Sequence, residues 1–380
     1  MSSRASLSSK PLPGDSSLDI QALTSLALRG LVSMFDAEKQ LFCHRLVRTE
    51  SGLVREGLSP RYTIMTLLGL RELENAGQTV PFDTNALFES FARDTSWIRG
   101  AGDLGLMVWL TAAFAPEQLI GFYRGANLEA ALKRYPDARQ ARTMELAWFL
   151  MGLAHAASTS TIIVTELTDL AVETYHRIEE NQGEHGFFGH MGATKSLAGL
   201  LRGRVGSFAD QIYPIYAMSK FASVFGVEEP LDSALDCATS ICDVQGEMGQ
   251  WWWLYDSRTG RVSSRYPVYA VHQHGMAPMG LFALEQASQQ SFQKFIFKGL
   301  RWIYSSNELG MDMRDIDRDV IWRCILPIRK RTKYWDTVLS MVQNPKENAS
   351  VGPLEILHED RPYELGWLLY AFAKFEGPAR

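Results

Sequence analysis

Residues 208–226 read FADQIYPIYAMSKFASVFG, and residues 274–287 read HGMAPMGLFALEQA. In both, a polar residue stands four positions before a proline, and small and apolar residues follow on every side. A helix that is apolar nearly all round belongs in an interior. Similar stretches begin at Arg61 (RYTIMTLLGL), Asp103 (DLGLMVWLTAAF), Glu145 (ELAWFLMGLA) and Glu364 (ELGWLLYAFAKF). Between them lie amphipathic segments near 83–97, 117–134, 161–180, 231–243 and 289–304, with 19–40 as a sixth. Apolar residues recur at helical spacing, as in Leu23, Leu26, Ala27, Leu31 and Met34, whereas strand signals are nearly absent. Inner helices alternating with outer ones predict an all-α chain folded as an (α/α)6 barrel, a toroid of two helical rings.

Linkers from inner to outer helices are short, while 41–60, 182–207, 245–267 and 305–361 are long and return from outer to inner. The long loops therefore share the rim where the inner helices begin, which is where a rigid scaffold carries its function. Residues 1–16 read as a disordered tail and 17–380 as a single barrel domain.

Composition narrows the function. The chain has 380 residues, 46% apolar and 21% charged, with a net charge of −5. That balance gives no footprint for nucleic acid or an anionic membrane. The one dense basic run, Arg329-Lys330-Arg331 with Lys333, reads as a solvated turn. No stretch is long and apolar enough to insert in a membrane or to serve as a secretory signal, which points to a cytoplasmic protein. Cys43, Cys237, Cys242 and Cys324 lack metal-site spacing and read as reduced thiols, so neither metal nor cofactor is expected.

The densest chemical constellation is 245–278, QGEMGQWWWLYDSRTGRVSSRYPVYAVHQHGMAP. Trp251, Trp252 and Trp253 either line a pocket, where indole faces stack on sugar rings, or pin a long loop to the rim. Asp256 sits in a turn closed by Gly260 and either caps that turn or faces substrate; Arg265 and Tyr266 lie beyond it. His272 and His274 flank Gln273. Extended, they project to one side; inside a helix they diverge by about 200° and one alone reaches the pocket. Asp210, Gln211 and Tyr213 open the most polar inner helix, and a carboxylate beside a helix N-terminus is held charged. Pro214 and Pro278, read as first-turn prolines, put Asp210 and His274 at equal height on neighbouring inner helices. They form the expected catalytic pair, with His272 in reserve. Arg61, Tyr62 and Glu364 open two further inner helices and join the expected substrate contacts. Glu364, Glu247 and Asp103 are the candidates for a proton donor. Asp312, Asp315, Asp317 and Asp319, interleaved with Arg314 and Arg318, read as a self-paired loop.

The stretch 205–285, with its Asp at an inner-helix start followed by QGEMGQWWWLYDSRTG, resembles the six-hairpin glycosidase superfamily, and within it the unsaturated glucuronyl hydrolases. The resemblance implies a carbohydrate-active enzyme, a hydrolase, lyase or epimerase, with Asp210 as an active-site carboxylate and a small sugar or oligosaccharide as partner. HQHGMAP matches no pattern of that group, so the reaction type stays open. Two alternatives compete. One is a terpenoid-cyclase-like toroid, whose acid motif Asp315-Ile316-Asp317-Arg318 would only partly match; the other is a non-catalytic carbohydrate-binding or scaffold protein.

Overall fold

The computed structural model describes residues 18–133, 142–159, 161–192, 203–328 and 352–375. The tail before residue 18 and the Arg329–Lys333 run lie outside the described residues.

The inner helices are Pro60–Asn75, Ala101–Phe114, Thr143–Ala157, Phe208–Phe225, Ala277–Ser288 with a π turn His272–Met276 in front of it, and Pro362–Phe372. Each packs on the next, and the last packs back on the first, so the ring closes. All run in one direction. Residues at their starts meet one another, as Arg61 meets Asp103, and residues near their ends do likewise, as His155 meets Tyr216.

Local sequence sets these boundaries. Ser59 caps the first inner helix by accepting from the Tyr62 amide, with Pro60 at the position that needs no N–H donor. Ser207 and Asp210 form a reciprocal capping box, and Gly226, at φ 70°, ends that helix in the left-handed region that a β-carbon disfavours. Two glycine pairs let the inner helices touch backbone to backbone. A Cβ on Gly69 would lie 2.1 Å from the Gly366 carbonyl oxygen, and one on Gly152 would lie 2.2 Å from that of Gly105.

The outer layer is Ile20–Met34, Thr84–Ala92, Leu119–Ala126 with Leu128–Lys133, Thr161–Glu179, Glu229–Asp243 and Gln293–Trp302. Asn127, in the left-handed conformation at φ 49°, splits the third of these into two pieces. The Ile20–Met34 helix covers the outside of Pro362–Phe372, and Glu229–Asp243 covers the neighbouring helices at 208–225 and 277–288.

Two expectations are corrected. The helix begins at Phe208, so Asp210 lies within its first turn and Pro214 in its interior, rather than in the first turn as expected. Pro278 does sit in the first turn of its α-helix, but His272 and His274 occupy the preceding π turn. The two polar residues therefore do not hold equivalent places. Strands, moreover, are present throughout the rim loops. Leu41–Thr49 pairs with Gly52–Leu58 and with Glu359–Asp360. Val205–Ser207 pairs with Leu254–Asp256, and Cys324–Pro327 lies between Val268–Tyr269 and Leu354–Leu357. Most of these strands have two to four residues, too few to display an alternation. They stitch the long loops to one another on the rim where the inner helices start.

Candidate active site

Side chains at the starts of the inner helices build one connected network. Arg61 holds Asp103 at 2.6 Å, and its guanidinium lies 5.0 Å from the Trp148 ring. Trp148 meets Tyr213 edge-on at 5.4 Å, and Tyr213 Oη accepts a 2.9 Å hydrogen bond from Trp367 Nε1. Tyr62 is sandwiched between His44 at 5.3 Å and Tyr363 at 4.5 Å, while Arg361 donates to its hydroxyl at 2.9 Å. Arg323 lies over Tyr269 at 5.0 Å and is ion-paired with Glu364. Glu359 ties Arg361, Arg45 and Arg323 together at 2.5, 3.0 and 3.6 Å.

Glu364 is the unusual group. It stands in the first turn of the last inner helix, is fully buried, and its Oε2 has no hydrogen-bond partner among the described residues. Burial pushes its carboxyl up to about 7, against the pull of Arg323 and Arg361. A carboxyl divided between acid and base near neutrality, with one oxygen uncommitted, suits proton transfer. Further along the inner helices aromatic rings pack together: Trp109 stacks on His155 at 4.3 Å and lies 5.8 Å from Trp367.

Asp210 is buried elsewhere on the rim. Its Oδ2 accepts from the Ser207 amide and hydroxyl, both at 2.8 Å, and approaches His190 Nδ1 at 3.2 Å. Its Oδ1 is buried without a partner among the described residues. Gln211 clamps the backbone of Phe188 from both sides and so holds the segment that carries His190. His274 is fully buried, and neither ring nitrogen finds a partner among the described residues. Burial lowers His272 and His274 to about 3 each, so both are neutral at pH 7. The His272 ring packs 4.5 Å from Phe208, and no described contact joins Asp210 to His274.

The tryptophan loop is anchored. Trp251 is fully buried 5.6 Å from Phe208, and Trp252 donates to the Val244 carbonyl at 2.7 Å beneath the Arg265 guanidinium. Both are thus pins of the loop; Trp253 is half-buried. Gln273 donates to the Tyr269 carbonyl, and Tyr266 to Glu308. Asp256 caps its own turn through the amides of Arg258 and Thr259 and lies 3.5 Å from Arg204. Arg314 pairs with Asp312 and Arg318 with Asp315, as expected of a self-paired loop, but Asp319 pairs outside it with Arg29 of the first outer helix at 2.8 Å. Of the expected donors, Asp103 is committed to Arg61 and to the Arg99 amide.

The structure thus brings Arg61, Tyr62, Tyr213 and Glu364 into one network, which His272 joins through the Tyr269 ring at 5.1 Å. Asp210 is held separately by Ser207 and His190, and His274 makes no hydrogen bond among the described residues. Sequence reasoning missed Arg323, Tyr363, Trp148, Arg361 and His190. Trp148 and Tyr363 had a legible signal, since each lies within or beside a quoted inner-helix start. Among the described residues no group of three His, Cys, Asp or Glu side chains is placed to hold a metal ion, and no helix is long and apolar enough to cross a membrane.

The fold is an (α/α)6 barrel. No family model matches the sequence, and no curated protein does. Solved structures do match. A possible member of the GH105 family from Klebsiella pneumoniae superposes with a TM-score of 0.60 at 11% identity, covering 96% of this chain and 94% of the other. A sugar epimerase from a ruminal bacterium gives 0.59 at 11% identity, covering 93% and 98%. The unsaturated glucuronyl hydrolase of a Bacillus species gives 0.57 at 14% identity, covering 93% and 94%.

Proposed function

We propose that this chain is a carbohydrate-active enzyme that seats a sugar over the N-terminal rim of its inner helices, with Glu364 as the proton-transferring group. The observation that carries the reading is the fully buried Glu364, paired to Arg323 through one oxygen and uncommitted at the other. Hydrolysis, elimination and epimerisation of a sugar each need a proton delivered or removed at a fixed atom, and a carboxyl near 7 serves all three. The guanidinium donors of Arg61 and Arg361 supply hydroxyl contacts that a sugar wants. The solved structures of like fold include a sugar epimerase and an unsaturated glucuronyl hydrolase, which supports the substrate class.

His272 and His274, neutral and enclosed, shape the wall in this reading, and Asp210 Oδ1 is a hydroxyl acceptor. A cyclase of terpenoid type fits the mouth less well. It needs an apolar cavity with one strong acid, whereas this rim carries Arg61, Arg323 and Arg361, and Asp315 is bound to Arg318 in an exposed turn.

The test is turnover of a panel of disaccharides and uronate-containing oligosaccharides, followed by NMR of the anomeric protons, which reads cleavage and epimerisation alike. Glu364→Gln is expected to lower turnover by about a hundredfold or more while near-ultraviolet circular dichroism is retained. The wild-type rate is expected to titrate near 7. Unchanged turnover in that variant would remove Glu364 from the chemistry.

A further inference from the structure

The rim holds a concavity of about 600 Å³, lined by Arg48, Thr49, Glu50, Gly52, Arg318 and His358. Three separate rim segments build it: the hairpin 41–58, the turn around 315–319 and the strand segment 354–360. The hairpin turns tightly at Gly52, whose φ of 120° is open to glycine, and Thr49 braces that turn by donating to the Gly52 carbonyl at 2.9 Å. His358 is half-buried, packed 4.8 Å from the edge of Trp322, and its carbonyl accepts from the Arg48 amide at 3.1 Å.

The charges are unequal. Arg318 is paired with Asp315 at 2.9 Å, but Arg48 has no carboxylate within ion-pair distance among the described residues. Glu50 is the one acid in the lining. The concavity therefore presents a guanidinium without a carboxylate partner among the described residues, an imidazole and a second, partly neutralised guanidinium. It is also tethered to the mouth. The strand Leu41–Thr49 carries His44, stacked on Tyr62, and Arg45, paired with Glu359, and it reaches Arg48 three residues later. Three residues of strand span about 10 Å.

We propose that this concavity is an outer subsite that takes the carboxylate or sulfate of an acidic oligosaccharide whose reacting unit lies at the mouth. The proposal rests on the carbohydrate reading above and adds the charge class of the substrate. Arg48 is the principal anion contact, with a planar fork of donors matched to carboxylate and sulfate oxygens. His358 lines the wall as a second donor, and Glu50 opposes binding at the entrance.

The experiment is calorimetric titration of the full chain with a uronic-acid tetrasaccharide, its carboxyl-reduced neutral counterpart and the uronic-acid monosaccharide, each at low and high salt. The acidic tetrasaccharide is expected to bind more tightly than the neutral one, and the advantage to shrink with salt. Arg48→Gln should weaken the acidic tetrasaccharide by about tenfold and leave the neutral one unchanged, and Glu50→Gln should tighten it. Equal affinity for the two tetrasaccharides, or an Arg48→Gln loss shared by both, overturns the subsite and leaves the mouth assignment standing. If no saccharide binds the wild type at millimolar concentration, both readings fall, even where inorganic sulfate still binds in an Arg48-dependent way. Glu364→Gln serves as the control for the mouth, since it should lower turnover by about a hundredfold or more without altering the preference for the acidic chain.

Discussion

Glu364 and His274 stand at the starts of neighbouring inner helices, both with no exposed surface, and burial has pushed them in opposite directions. The carboxyl of Glu364 is raised to about 7 and the imidazole of His274 is lowered to about 3. In each case desolvation disfavours the charged form, which is the anion of one and the cation of the other. The difference lies in compensation. Arg323 and Arg361 recover enough charge stability at Glu364 to leave it titrating where an enzyme works, whereas His274 has no counter-charge and is locked neutral. Burial alone silences a titratable group; burial with a paired opposite charge tunes it.

Removing the compensating charge should produce the largest effect. Arg323→Met is expected to cost about 3–5 kcal/mol of stability at pH 8 by urea unfolding, because a buried carboxylate loses its partner. At pH 5 the loss should be smaller, since Glu364 is then protonated. An equal loss at both pH values would show that Arg323 matters for packing, not charge.

The pH dependence of stability separates the two groups next. Glu364 is raised from an ordinary value of 4.5, so its contribution to stability is complete below 4.5 and is lost as pH rises through about 7. His274 and His272 are lowered from 6.5, so their contribution is complete above 6.5 and is lost as pH falls towards about 3. In Glu364→Gln the decline of stability between pH 4.5 and 7 should disappear. In His274→Leu the acid unfolding midpoint should move to lower pH. At pH 7 that leucine should change stability by about 1 kcal/mol or less, because it replaces a buried ring whose nitrogens have no partners among the described residues. If His274→Leu instead abolishes turnover with its fold intact, the imidazole belongs to the chemistry and the contrast between the two groups breaks.

A similarly small effect is expected at the third polar helix start. Ser207→Ala removes the capping hydroxyl shared by the Asp210 amide and carboxylate and should cost about 1 kcal/mol. A fall in turnover well beyond that loss would bring Asp210 into the active site.

How much of this was legible depended on how local the cause was. The inner helices could be read because all-round apolarity is written in consecutive residues. Glu364, Arg61 and Tyr62 could be read because they open such stretches. Arg323 could not: it lies on a rim segment with no motif, and its partner is 41 positions away. His190 owes its place beside Asp210 to the grip of Gln211 on Phe188, a contact across 23 positions. The expected equal height of Asp210 and His274 did not hold, because proline spacing does not reveal that one helix starts two residues before its acid while the other is preceded by a π turn.

The seam where Gly69 meets Gly366 joins positions 297 apart in the chain, 366 − 69. Arg61, Tyr62 and Asp103 come from its early side, and Arg323, Arg361 and Glu364 from its late side. The mouth therefore exists only once the circle has been completed, however well each arc has formed by itself. Regain of turnover during refolding should accordingly trail the return of helical signal, so that activity reports on closure and circular dichroism on the arcs.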